Sequence, residues 1–550
     1  MSHVTLIRPA MVVVRLIQSR STCPPIGVVY LAASLKKAGH QVHLIDAVGE
    51  SILQILPFDG GDEYGHYNFF HGLTLDETVD RVDPNTDYIG VSCMFSIEWP
   101  LVRELLVKLR KRFPDKPIII GGEHVTAMAE WIFKTRPEVD YAILGEGEGP
   151  LVALIAALES GQPAGSVPGV VAKQNPKKPQ RTGSVDRYLF DLRIREVDDI
   201  PLPDWDSIPI LQYLDNGFGY GTDRGRNMPM LATRGCPYQC TFCSSPQMWS
   251  TKWLARKPEL VLDEMELYQK KYGAENFSFY DLTAIVKRDW IIEFCQLVLK
   301  RELKFTWQLP SGTRSEAIDG EVADLLYQAG CRSMNYAPES GSSRTLQRIK
   351  KKVNLESMKK SMRACGKRGL VIKSNTIVGF PGETHRDVWK TIKWLAELAV
   401  LGVHEATLTQ YIPYPGTELF DQLTKEGRIE RPFSDSYFAM LATKGNFLSN
   451  MSWSEHISHK AVARYIMFSN LLFMSVSSLL RPWRVARAVI NVVLKRPEES
   501  RLEATLRTLF SGRIFRNLFS SRRKTPFLIS RQLALKGHSI PGSDDLRRVA

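Results

Sequence analysis

The sequence predicts an α/β chain of two parallel sheets in tandem: a doubly wound, Rossmann-like N-terminal sheet, then a (β/α)6 partial barrel, with an α-helical C-terminal extension. Three observations predict it. Short Val- and Ile-rich runs alternate with amphipathic helical stretches over residues 1–150, the pattern of strands buried on both faces by crossover helices. A second alternation of the same kind begins near residue 230. The length, 550 residues, exceeds what one hydrophobic core organises, so roughly two or three domains are expected.

Composition sets outer limits. With 44% hydrophobic and 24% charged residues, 38 Gly and 31 Pro, the chain is neither disordered nor collagen-like. Eight Cys in 550 residues do not make a disulfide framework, and a reducing, cytoplasmic setting is expected. The N-terminal MSHVTLIRPA has no apolar core with a small-residue cleavage site, so export is not expected. No apolar run reaches the roughly 20 residues of a bilayer span. Net charge is +13, but residues 481–550 hold 16 Lys and Arg against 5 Asp and Glu, leaving +2 for residues 1–480. The basic character therefore concerns the partner of the tail, not the body.

From the N-terminus, residues 4–8, 41–45, 88–93, 117–120 and 141–144 read as strands, with helices such as 28–38 and 101–113 between them. Ligands of such sheets lie beyond the carboxyl ends of the strands. Those ends carry Arg8-Pro9, Cys93-Met94, Gly121-Gly122-Glu123-His124 and Gly145-Glu146-Gly147-Glu148. Small and polar residues there suit a large ligand lying on exposed backbone, and equally suit tight turns. No G-x-G-x-x-G follows the first strand and no phosphate-binding loop occurs, so a nucleotide is not the expected ligand. Residues 151–225, with NPKKPQ and IPLPDWDSIP, read as a connector.

In the second alternation, residues 230–233, 276–280, 304–308, 333–336, 371–377 and 405–410 read as strands, and 258–272, 288–301, 355–368 and 385–401 as helices. Six β/α units over about 200 residues imply a parallel barrel or open part-barrel, with its site at the carboxyl ends of the strands. Directly after the first of these strands comes Thr233-Arg234-Gly235-Cys236-Pro237-Tyr238-Gln239-Cys240-Thr241-Phe242-Cys243, with three of the eight Cys spaced C-x3-C-x2-C. One loop can wrap three thiolates around a metal centre. A structural zinc site wants a closed set of four ligands, and no nearby His or Cys completes one; the next is Cys295, within a helix. Three thiolates suit a 4Fe–4S cluster with one open iron. Cys23, Cys93, Cys295, Cys331 and Cys365 are dispersed and read as small buried hydrophobes.

This loop resembles the signature of the radical S-adenosylmethionine superfamily. The resemblance implies that Cys236, Cys240 and Cys243 ligate the cluster, that S-adenosylmethionine chelates the open iron, and that reduction cleaves it to methionine and a 5′-deoxyadenosyl radical. Phe242 matches an aromatic position near the adenine. Along the barrel, Asp281 after the second strand, Ser311 and Arg314 after the third, Glu339 and Ser340 after the fourth, and Gly379, Pro381 and Gly382 in a G-x-P-G-E-T-like turn match positions that bind S-adenosylmethionine. Asp281-Leu282 stands where a double acid is frequent, and Ala337-Pro338 where Gly and an aliphatic are frequent. No catalytic residue is named by the sequence.

A doubly wound sheet ahead of this barrel resembles the cobalamin-binding class, the group of the anaerobic porphyrin-ester cyclases and radical C-methyltransferases. Arg8, Pro9, the Pro24-Pro25-Ile26-Gly27 entry to the first helix, Gly121, Gly122, His124, Gly145 and Glu146 match its pattern in place and order. The resemblance spans residues 4 to about 430 and implies residues 1–155 as a cobalamin-binding domain, 156–225 as connector, 226–430 as radical core and 431–550 as a helical basic region. The D-x-H-x-x-G loop that supplies histidine to cobalt is missing, so base-off cobalamin without a protein His ligand is expected. The implied reaction is C-methylation of an unactivated carbon, or oxidative cyclisation of a tetrapyrrole ester. The implied reductant is a flavodoxin or ferredoxin. A corrinoid- or substrate-binding module is the non-enzymatic alternative.

The tail carries YIMFSNLLFMSVSSLL over 465–480, then RPWRVARAVINVVLKR, then 506–519 with Arg507, Arg513 and Arg516. Apolar and basic residues at helical spacing predict interfacial helices that rest on the inner face of a membrane, or a helical cap on the barrel. Few interleaved aromatics and no nucleic-acid fold argue against nucleic acid. A hydrophobic small molecule, lipid or tetrapyrrole, is the expected substrate.

Overall fold

The computed structural model describes residues 1–14, 22–57, 67–174, 192–222, 224–431, 433–441, 451–494 and 503. The NPKKPQ stretch and the expected helix 506–519 lie outside the described residues.

The N-terminal sheet has six strands: β1 (His3–Arg8), β3 (Gln41–Asp46), β6 (Tyr88–Ser92), β7 (Ile118–Gly121), β8 (Tyr141–Ile143) and β9 (Val170–Ala172), in the order β3-β1-β6-β7-β8-β9. All pair in parallel except β9, which runs antiparallel to β8. Helices α1 (Ile26–Lys37), α2 (Trp99–Arg112) and α3 (Glu123–Thr135) are crossovers between parallel strands, and α4 (Glu148–Glu159) leads from β8 to the antiparallel β9. The five expected strands are present to within a residue or so. The edge strand β9 and helix α4 lie in what reads as connector, so the sheet continues past residue 155. A small antiparallel sheet, β2 (Met11–Val14), β5 (Tyr67–His71) and β4 (Ile55–Pro57), is a further addition.

The second sheet is wholly parallel: β10 (Asn227–Met230), β13 (Asn276–Phe279), β14 (Thr306–Thr313), β15 (Cys331–Glu339), β16 (Val371–Val378) and β17 (Glu405–Gln410), in sequence order. Six strands in order, with no closing pair among the described residues, make the expected part-barrel. Its helices include α5 (Pro258–Tyr272), α6 (Arg288–Lys300), α7 (Gly320–Gln328), α8 (Leu355–Lys367), α9 (His385–Leu401) and α10 (Glu418–Lys425). Helix α5 starts where sequence rules place a start, with Pro258 at its first position, and ends at Gly273 in the left-handed region (φ 65°). The first barrel strand is displaced from expectation. It spans 227–230, and Thr233–Arg234 (β11) instead pairs antiparallel with Leu254–Ala255 (β12), pinning both ends of the cysteine loop.

At the C-terminus α11 (His459–Leu480) packs Val462, Ile466 and Phe473 against α9 and β17, and α12 (Pro482–Val493) follows. Residues 465–480 thus belong to one 22-residue helix that is by length and composition long enough to cross a membrane, contrary to the expectation of no such segment. Its outer side exposes Met467, Leu471, Met474 and Leu479. Two of the basic residues of the tail are structural. Arg481 donates to the carbonyls of Ala399 and Val400, and Arg484 to those of Gly402 and Val403, satisfying the free carbonyls at the end of α9.

Candidate active site

The carboxyl ends of the two sheets face each other, and the cysteine loop lies between them. Glycine is required at position 235 (φ 88°), where a Cβ would collide with the Lys252 carbonyl. Asp281 closes the base of the loop: it accepts from the backbone N–H groups of Ala232 and Thr233 and, at 2.6 Å, from the Thr233 hydroxyl. Its carboxylate is therefore engaged by the loop, where the sequence led to the expectation of a contact with S-adenosylmethionine. Further along, Thr241 N–H donates to the Ile349 carbonyl at 3.0 Å, and Leu419 N–H donates to the Thr241 carbonyl at 3.0 Å.

Burial pushes the Cys236 and Cys240 thiols above the ordinary range and the Cys243 thiol up to about 12. Thiols this buried become thiolates when a metal centre stabilises the charge. Among the described residues no three His, Cys, Asp or Glu side chains converge on a single ion. Three thiol donors in one loop, without a fourth, fit a cluster that carries its own sulfides and leaves one iron open.

Lysine 351 was not singled out by its sequence context. Its ammonium sits 3.0 Å from Glu339, both largely buried, and lies 6.0 Å from the centre of the Phe242 ring. Burial works against its charge, but Glu339 and nearby Cys240 hold its pKa above the usual lysine value. Glu339 itself sits at φ 67°, a strained conformation for a non-glycine residue. Arg314 stacks on Tyr238, 3.6 Å from the ring centre, and its Nε is buried without a partner. The amide oxygen of Asn335 is likewise buried and without a partner among the described residues. Ser311 lies on the bulged stretch of β14.

Other expected contacts are directed elsewhere. Ser340 is fully buried, bonded to Thr391 at 2.9 Å and to the backbone of Ser342, so its hydroxyl serves the fold. The Gly379-Pro381-Gly382 turn is held from behind: Glu383 accepts from Gly379 N–H, Glu455 from Gly382 N–H, and Arg348 donates to the Pro381 carbonyl.

On the facing sheet, Gly122 (φ 116°) approaches the Cys93 carbonyl so closely that a Cβ would lie 2.5 Å from it. His124 is buried; its Nδ1 pairs with Ser96 at 2.8 Å and its ring rests against Trp99 and Phe438. Burial lowers its pKa to about 3. Gly145 (φ 71°) donates its N–H to Thr126. Arg8, beside Pro9 at the end of β1, stands 3.6 Å from Asp46, which accepts from Tyr213 at 2.8 Å. The two atoms of that pair, Arg8 Nη1 and Asp46 Oδ1, have no hydrogen-bond partner among the described residues. Cys23, expected as a core hydrophobe, instead lies among Arg8, Glu98, Asp46 and the barrel residue Tyr280.

Three links join the edges. Ser244, next to Cys243, donates to buried Glu123. Cys23 meets Tyr280. The third is a buried ion network. Arg234, two residues before Cys236, donates to Glu146 (2.9 Å) and Glu148 (2.6 Å) and stacks over Tyr30. Glu146 also accepts from Arg193 and from Ile194 N–H, each at 2.8 Å. Glu146, expected to touch cofactor, is thus saturated by protein donors and ties the sheets together.

Glu98 at the same edge is buried, and burial raises its pKa to about 7, with Arg8 and a backbone bond pulling it back. The folded chain thus holds a proton that the unfolded chain releases above the ordinary value of 4.5. The stability this contributes is complete below 4.5 and is lost as pH rises through 7. Glu98→Gln should therefore raise the melting temperature at pH 8, where ionisation costs about 3 kcal/mol, and leave it nearly unchanged at pH 4.5. Thermal unfolding at both values checks this; an equal shift at both contradicts it.

Comparison with known proteins agrees with this arrangement. Residues 12–155 match the B12 binding domain and residues 230–395 the radical SAM superfamily. The chain is 26% identical to an uncharacterized methyltransferase of Pyrococcus horikoshii over 84% of its length and 87% of that protein. It is 26% identical to the cytidylyl-2-hydroxyethylphosphonate methyltransferase of Streptomyces wedmorensis (74% and 79% covered) and to the anaerobic magnesium-protoporphyrin IX monomethyl ester cyclase of Rubrivivax gelatinosus (73% and 66%). Its fold matches that of TsrM, a radical S-adenosylmethionine methyltransferase from Kitasatospora setae solved with cobalamin and a [4Fe-4S] cluster, with a TM-score of 0.59 at 19% identity over 78% of this chain and 79% of that one. With a B12-binding sheet, a radical SAM part-barrel and the cysteine loop between them, the chain belongs to the cobalamin-dependent radical S-adenosylmethionine enzymes.

Proposed function

We propose that this enzyme C-methylates an unactivated carbon of a hydrophobic substrate. The observation that carries the reading is the apposition of the two sheet edges: the strand ends of the B12-binding sheet are bonded to the cysteine loop through Glu146–Arg234 and Glu123–Ser244. When bound, the cluster with S-adenosylmethionine supplies a hydrogen-abstracting radical, and cobalamin supplies a methyl group. A carbon held between the two edges would face both.

The residues of the chain have matching roles in this reading. Cys236, Cys240 and Cys243 hold the cluster, with Phe242, Arg314 and the Lys351–Glu339 pair around S-adenosylmethionine. Gly121, Gly122 and Gly145 let the strand ends pack closely at the edge proposed to face the corrin, and the Arg8–Asp46 pair stands at the same edge. His124 is 1% exposed, enclosed by Trp99 and Phe438, with its Nδ1 on Ser96 and its Nε2 without a partner among the described residues; that enclosure supports cobalamin held without a histidine ligand and a base-off visible spectrum.

Radical oxidative cyclisation is the second reading, supported by the similarity to the Rubrivivax cyclase. Product accounting separates them, because methylation releases S-adenosylhomocysteine beside 5′-deoxyadenosine and cyclisation does not.

The hydrophobic substrate and contact with the inner face of a membrane rest on the C-terminal helices. Helix α12 exposes Trp483, Ile490 and Val493 beside the outer face of α11, and residues 456–497 contain seven Lys and Arg and no acid. Each cation engaged at an anionic surface contributes about 1 kcal/mol, so five would give roughly 5. The full chain should sediment with anionic vesicles at low salt and be released at high salt, whereas Leu471→Glu/Ile490→Glu should stay in the supernatant. A full chain that remains soluble at low salt makes these helices a cap on the barrel.

A further inference from the structure

We propose that the basic turn over residues 344–352 is the docking surface for an acidic one-electron carrier of the flavodoxin or ferredoxin type. The proposal rests on the cluster assignment made above, and adds where its electron enters.

Residues 340–355 hold Arg344, Arg348, Lys350, Lys351 and Lys352 and no acid. A run of charge is ordinarily only a solvated face, but this one is placed differently. Its Ile349 carbonyl accepts the N–H of Thr241, the residue after Cys240, at 3.0 Å. The turn is therefore the outer wall of the cysteine loop. Lys350 adopts φ 54°, and there the chain reverses its facing: Ile349 is buried and Lys351 points inward to Glu339 and Cys240, while Arg344, Arg348, Lys350 and Lys352 are exposed. Of these four, Lys350, with Glu418 at 2.7 Å, and Arg344, 3.8 Å from Asp387, have acidic neighbours in ion-pair range among the described residues.

The cluster must receive one electron from outside the protein, and the cysteine loop is bonded to this turn through Thr241 and to the B12-binding sheet through Ser244 and Arg234. In the transfer one electron leaves the reduced carrier and enters the cluster; no bond forms or breaks and no proton moves. Carriers of this class are acidic, and their encounters are small, polar and steered by charge. A cationic patch one backbone layer from the cysteines supplies both the steering and the short path.

The test uses the full chain reconstituted with iron, sulfide and hydroxocobalamin, comparing wild type, Lys350→Glu/Lys352→Glu, and Lys300→Glu/Lys304→Glu, at the end of helix α6 and before the amino end of β14, as a charge-matched control. Formation of 5′-deoxyadenosine is driven either by a purified reduced bacterial flavodoxin or by dithionite. Binding of oxidised flavodoxin is followed separately by its flavin fluorescence. The double variant should need about tenfold more flavodoxin for half-maximal rate and bind it about tenfold more weakly, with an unchanged dithionite rate; the control should match wild type. Unchanged flavodoxin binding and rate would overturn the proposal. So would loss of vesicle binding in place of flavodoxin binding, which would make the turn a membrane contact. If the dithionite rate also falls, the milder Lys352→Gln decides: weaker flavodoxin binding with normal iron content supports the docking surface, and unaltered binding rejects it.

Discussion

Replacing any one of Cys236, Cys240 or Cys243 by Ala should reduce 5′-deoxyadenosine formation below detection, while the wild-type chain reconstituted without oxygen binds about four iron. The expectation follows from the loop rather than from the motif alone. Each end of it is fixed, by the β11–β12 pairing and Asp281 on one side and by the bonds of Thr241 to Ile349 and Leu419 on the other. Cys23, Cys93, Cys295, Cys331 and Cys365 lie in other elements and do not replace a lost ligand. Iron analysis and chromatography of the nucleoside product measure both effects. Cleavage by the triple variant at the wild-type rate would remove the cluster from the account.

The second large effect is on stability. Glu146→Leu should cost about 3–5 kcal/mol, because it strands two buried guanidinium groups, Arg193 and Arg234, that it now neutralises. Arg234 keeps Glu148, which places the loss below that of an isolated buried charge. The same substitution should loosen the cysteine loop from the B12-binding sheet and lower the yield of intact cluster. Denaturant unfolding of the reconstituted protein gives the first quantity and iron content the second. A loss under about 1 kcal/mol would show a solvated network.

The fold was legible because, apart from the edge strand β9, both sheets are parallel, with Val- and Ile-rich runs in the first sheet and amphipathic helices between strands, and α5 and α9 match expectation residue for residue. The first barrel strand was misplaced because Asn227 and Pro229 look wrong for a strand, yet both are buried within β10. The small sheet of β2, β4 and β5 was missed because its strands are short and far apart in sequence.

The site was legible only where its signal is local. Three cysteines in eight residues are such a signal. The Arg234–Glu146 pair spans 88 positions, and nothing in the sequence aligns them. Lys351 sits in a run of like residues, and only the fold turns it inward. Asp281 and Ser340 illustrate the converse: polar residues at strand ends look like pocket residues, but here their oxygens are used to fasten adjacent loops and helices.

The central claim, that the two sheet edges form one site for methyl transfer to carbon, is tested most directly by following the methyl group. The reconstituted enzyme is incubated with reductant, S-adenosylmethionine carrying a deuterated methyl group, and a lipid and pigment extract of cells lacking the enzyme. The account predicts a product heavier by one deuterated methyl group, with S-adenosylhomocysteine and 5′-deoxyadenosine formed in equal amounts. A product formed with 5′-deoxyadenosine but no S-adenosylhomocysteine and no label would contradict it.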